Sequence, residues 1–144
     1  MRHIVLVLVA ALACAAAANA APTDERIEVT AKVRQLNKVA LPPPGRGGDA
    51  ESALWIVRDR KGDVIGDMLI DCRWVTTGLR LCVGQLAMPL GALAVIGASR
   101  TRFLGQLAVV GGTGRYVGAD GTLLFKATSS GRYVLSISYR RDAA

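Results

Sequence analysis

From Glu51 to the C-terminus the chain repeats one scheme, a short apolar, β-prone run followed by a turn signal. Ser52 to Arg58 ends at Arg60-Lys61-Gly62-Asp63, Val64 to Val75 at Thr76-Thr77-Gly78, and Leu79 to Met88 at Pro89-Leu90-Gly91. Ala92 to Ala98, Leu104 to Val110, Thr122 to Thr128 and Tyr133 to Tyr139 follow, the last two joined by Ser129-Ser130-Gly131-Arg132. Upstream, Arg26 to Arg34 alternates polar and apolar residues as a strand with one wet face does. About eight strands at hairpin spacing predict an all-β domain, an antiparallel sandwich or barrel. No stretch after the N-terminal region carries a convincing helical stripe. Asn37 to Ala50, NKVALPPPGRGGDA, breaks the periodicity and reads as a long loop or rim. Residues 21–50 are therefore read as the first strand and its Pro/Gly-rich loop, and residues 51–144 as the rest of a single domain.

The N-terminus, MRHIVLVLVAALACAAAANA, has a basic start, an apolar stretch and the small-residue site Ala18-Asn19-Ala20. That is the layout of a cleaved signal peptide over residues 1–20, and it predicts a secreted or periplasmic protein. A spanning anchor would need roughly 20 apolar residues, more than this stretch supplies. Lipidation at Cys14 is the alternative form of export. Cleavage would remove His3, the single histidine of the chain. Ser-His-Asp and Cys-His catalysis, His-ligated zinc and a histidine switch are then excluded for the mature chain, and neither a metal nor another cofactor is expected.

The sequence is basic, with a formal net charge of +7. Its cations are spread from Arg26 to Arg141 among acids, with few aromatics between them, which describes a solvated surface and not a nucleic-acid site.

Cleavage would leave Cys72 and Cys82 in an oxidising compartment, where a disulfide is expected. If Thr76-Thr77-Gly78 is a three-residue turn with Gly78 left-handed, Val75 faces Leu79, Trp74 faces Arg80 and Cys72 falls opposite Cys82. Asp71, Arg73 and Val75 then share a face with Leu79, Leu81 and Val83. Facing inward, Asp71 and Arg73 would be charges among aliphatic walls; facing outward, they are surface charges.

The run VVGGTGRYVGADG, Val109 to Gly121, poses a choice between a phosphate cradle and a set of β-turns. Gly112-x-Gly114-x-x-x-Gly118 lacks the dinucleotide spacing, Gly118-Ala119-Asp120-Gly121 would break a helix at its start, and no P-loop lysine follows. No nucleotide is expected. Gly111, Gly112, Gly114, Gly118 and Gly121 read instead as corner devices, permitting positive φ or close backbone approach as a small closed barrel requires.

The segment Leu107 to Gly121 resembles the signature of the dirigent and allene oxide cyclase barrel-like proteins, in which VVGGTG, a basic residue and an aromatic join two late strands. Gly62-Asp63-Val64-Ile65-Gly66, the Cys72 and Cys82 pair, Met88-Pro89-Leu90-Gly91 and Gly97 fall where exported bacterial members have such features. Arg115 and Tyr116 match the basic and aromatic positions, whereas Asp120 stands where many members are basic. The resemblance covers about Ala53 to the C-terminus. It implies an eight-stranded antiparallel β-barrel, often trimeric, with a largely apolar cavity open at one end. It also implies a protein that binds a hydrophobic small molecule or, as an alternative, steers a reactive intermediate by holding it in one conformation without a cofactor. Asp71, Arg73 and Tyr116 are the candidate polar groups for such guidance, and Trp55 and Trp74 the candidate ligand-binding walls. A non-catalytic interaction module with a filled barrel is the third reading, and a cavity lined by Trp55 or Trp74 would argue against it.

Overall fold

Apolar side chains at every second position bury one face of each strand, and eight such strands can bury all of those faces at once by closing on themselves. The computed structural model describes residues 23–40 and 47–141 and shows that closure. The strands are β1 (Thr23–Val39), β2 (Ala50–Arg58), β3 (Val64–Thr76), β4 (Leu79–Met88), β5 (Gly91–Ser99), β6 (Leu104–Gly112), β7 (Asp120–Ala127) and β8 (Arg132–Arg141). Each pairs antiparallel with its chain neighbour, and β1 also pairs with β8 to complete the barrel. The expected signal peptide and part of the Pro/Gly-rich loop lie outside the described residues.

β1 serves two partners because it is long. Its first part pairs with β8 from Thr23↔Arg141 to Lys32↔Arg132, and its second part pairs with β2 up to Val39↔Ala50. The strand therefore continues to Val39, past the Asn37 boundary expected for the loop, because β2 offers it a hydrogen-bonding edge. A bulge between Val33 and Gln35 switches the facing parity, so that Leu36 lies opposite the inward Ala53 and Lys38 opposite Glu51.

The β3–β4 hairpin holds most of its expected register, with Cys72 opposite Cys82 and Trp74 opposite Arg80. Its tip differs. Thr76, not Val75, pairs with Leu79, so the loop is Thr77-Gly78 and Val75 is the extra residue of a bulge. The bulge absorbs the odd residue that the three-residue turn was meant to absorb, and Gly78 still takes a left-handed φ of 84°.

The interior is a packed core for most of its height. Val57, Met68, Leu86, Leu93, Leu107, Val109, Leu123, Leu135 and Ile137 are fully buried. One end is closed by the glycine run, which leaves β6, forms a 3-10 turn at Gly114–Tyr116 and re-enters at β7. Gly114 has φ 58° there, and at Gly121 a Cβ would collide with the Ser138 carbonyl oxygen. Tyr116 and Ala119 are pressed into that end as a plug. The run is a corner and a stopper, and the mouth lies at the opposite end.

Candidate functional site

At the mouth, side chains from strands distant in sequence converge on a cavity of about 60 Å³, room for a few water molecules. Its lining includes Trp55 from β2, Cys72 from β3, Arg80 from β4, Phe125 from β7 and Tyr133 from β8. Alternation explains their convergence. On β2, Glu51, Ala53 and Trp55 share a face, and on β4 Arg80 and Cys82 do. The aromatic wall is continuous: Trp55 stacks on Tyr133 at 4.4 Å, and Phe125 lies tilted against Tyr133 at 6.4 Å. Gly105 makes room for it, since a Cβ there would run into the Phe125 ring.

The polar side of the mouth is built around one carboxylate. Glu51 lies 3.6 Å from Arg80, 3.2 Å from Arg102 and 3.8 Å from Lys38. Arg80 is the unusual member, its side chain only 5% exposed. Burial lowers its pKa, Glu51 opposes that effect, and the Arg102 charge adds to it. Its Nη2 donates to the Thr101 carbonyl at 2.9 Å, which also accepts from the Ser99 hydroxyl, so the β5–β6 turn is tied to the guanidinium. The guanidinium carbon sits 6.0 Å from the Trp74 ring centroid. Two buried N–H groups in this region have no acceptor among the described residues, Nε1 of Trp55 and Nε of Arg80. An unmade buried hydrogen bond costs roughly 1–3 kcal/mol, and both of these belong to residues that line the one cavity.

The opposite end contains a second polar cluster, and it is saturated. Glu25 accepts from the Tyr139 hydroxyl at 2.7 Å, from Arg141 Nε at 2.6 Å and from Arg115 at 3.2 Å. The Arg141 and Tyr139 hydrogen bonds hold its carboxyl below the usual range. Burial, with the Glu25 charge beside it, pushes the Tyr139 phenol far up. Burial likewise raises Tyr116, which packs edge-on against Tyr139.

The structure separates the residues singled out in the sequence. Trp55 lines the cavity, while Trp74 stands at the outer rim beside Lys38, Asp49 and Arg102. Asp71 and Arg73 are exposed on the outer face, across from Val83 and Leu81. Tyr116 belongs to the closed end. Cys72 and Cys82 form a disulfide on the inner wall. Sequence reasoning missed Glu51, Arg80, Arg102, Phe125 and Tyr133. One signal was available for Arg80: once Cys82 faces inward, alternation places Arg80 inward as well.

No protein-family model matches the chain, and no curated protein is significantly similar to it in sequence. Solved structures share its fold. A pyocyanin demethylase superposes with a TM-score of 0.74 at 18% identity, over 80% of this chain and 99% of that one. A Diels-Alderase from Streptomyces koyangensis gives 0.68 at 19% identity, over 87% and 72%. A pterocarpan synthase dirigent protein gives 0.67 at 14% identity, over 85% and 92%.

Proposed function

We propose that this chain, which has the barrel fold of the dirigent and cyclase-like proteins, binds a hydrophobic small molecule in the mouth of the barrel. The observation that carries this reading is the contrast between the two ends. One is plugged and its polar groups are paired, whereas the other holds an aromatic-walled cavity with two orphaned donors. Concave, largely apolar sites with a few placed polar groups are what small ligands occupy, and at about 60 Å³ this one takes a guest by widening at the mouth. Export fits the same reading, with residues 1–20 removed as a signal and the disulfide formed in an oxidising compartment. Assembly as a trimer, which the family resemblance implies, would cover apolar side chains now exposed on the outer face, among them Val83 and its register partner Ile96.

Guidance of a reactive intermediate is the second reading, supported by the Diels-Alderase and dirigent names of proteins with this fold. In it the ring wall fixes the guest's conformation and the cluster around Arg80 offers a positive field to charge that develops during reaction.

The chain has two tryptophans and hence two indole N–H resonances, which Trp74→Phe assigns. Titration with 2-methylnaphthalene is expected to shift the Trp55 indole signal saturably and to leave that of Trp74 smaller in response. No shift of the Trp55 signal up to the solubility limit would overturn the pocket.

A further inference from the structure

The mouth has a chemical character more specific than apolar. Lys38, Arg80 and Arg102 all turn to the single carboxylate of Glu51, so each is only partly neutralised by it. Asp49, the other acid beside this region, lies at the outer rim and is buried with a partner of its own. The unpaired groups are both donors, Trp55 Nε1–H and Arg80 Nε–H, carried by two residues that line the cavity, and no described residue offers them an acceptor. Beside them stands the stacked Trp55–Tyr133 pair, with Phe125 tilted against Tyr133, so that the apolar side of the cavity is aromatic.

From these we infer that the ligand is a planar aromatic acid, an arene bearing a carboxylate or a ring-conjugated oxyanion, with its ring on the aromatic wall and its anionic oxygens on the Arg80 side. The inference rests on the reading of the mouth as a binding pocket and adds the charge and shape of the guest. An acceptor-bearing anion supplies what both orphaned donors lack, and it relieves the cations that share Glu51. A neutral arene fills the wall and leaves the donors bare; an aliphatic acid meets the cations and forgoes stacking. Arginine is suited to the role because its planar fork presents several fixed donors to one carboxylate.

The test is calorimetric titration of the full chain with 2-naphthoate, 2-methylnaphthalene and decanoate at neutral pH. A charge-assisted hydrogen bond corresponds to roughly tenfold or more in affinity, so 2-naphthoate should bind at least about tenfold more tightly than either comparison. Trp55→Phe keeps an aromatic face, a smaller one, and removes the N–H, and should lower 2-naphthoate affinity more than 2-methylnaphthalene affinity. Glu51→Gln removes the competing anion and should raise the ratio of 2-naphthoate to 2-methylnaphthalene affinity, a change in selectivity that a purely structural role for Glu51 would not produce. If Arg80→Met folds, it should abolish the preference for the acid. Equal affinity of the wild-type chain for 2-naphthoate and 2-methylnaphthalene would overturn the inference and leave the pocket standing. Tighter binding of decanoate than of 2-naphthoate would also overturn it, since the wall would then select a flexible chain. Absence of binding by all three probes would overturn the pocket together with the inference.

Discussion

Two glutamates, Glu25 and Glu51, each gather cations at one end of the barrel, and the difference between them separates scaffold from site. Glu25 has strong donors on both oxygens, from Tyr139 and Arg141, and closes an end already plugged by Tyr116. Glu51 binds its cations at longer range and leaves a donor of Arg80 unmet. The first arrangement predicts a pH dependence of stability. Because folding lowers the Glu25 pKa from its ordinary 4.5, its contribution is fully present above that value and is lost as pH falls through the lower folded value. Glu25→Gln should therefore be less stable than the parent at neutral pH, with the gap closing on the acid limb. Denaturant midpoints followed from neutral to acid pH check this, and a constant gap would mean that the charge on Glu25 is not what stabilises that end.

Among the elements, the β3–β4 hairpin shows how far sequence reasoning reaches. Alternation and a turn were enough to place Cys72 against Cys82 and Trp74 against Arg80, because side-chain period and strand pairing are local properties. They were not enough to say which face of the hairpin is inside, since Asp71, Arg73, Leu81 and Val83 on one face compete with Cys72, Trp74, Arg80 and Cys82 on the other. The disulfide settles the matter in the structure, because both sulfurs are buried on the inner wall and Asp71 and Arg73 therefore point outward. The sequence separation of the bridged cysteines is 10. In the chain-entropy model, a loop of this order contributes roughly 3 kcal/mol, so replacing both cysteines by alanine should lower stability by about that amount. Equilibrium unfolding of the double variant beside the parent measures it. Disulfide mapping of the parent must in turn find Cys72 joined to Cys82. The glycine run was equally readable, since a missing helix and broken spacing argue from a short stretch, whereas the stopper role of Tyr116 needed the far end of β8 to be in place.

At the scale of the whole molecule, the site exists only because the barrel closes. Glu51, Arg80, Arg102, Phe125 and Tyr133 come from β2, β4, the β5–β6 turn, β7 and β8, and no local pattern ties a glutamate on β2 to an arginine in a turn much later in the chain. Closure also decides how much interior is left. An eight-stranded barrel is just wide enough for side chains to fill it, and here they do, except where the aromatic wall and buried Arg80 hold the mouth apart. On the proposed reading this mouth, and no other part of the molecule, takes the guest. Native mass spectrometry in excess 2-naphthoate, on the wild-type chain beside Ala53→Trp, tests it most directly, because Ala53 lines the cavity and an indole there would fill it. One guest per barrel is expected on the wild-type chain and none on the plugged variant, with the same subunit count for both. The same guest load on both proteins, or none on either, would contradict it.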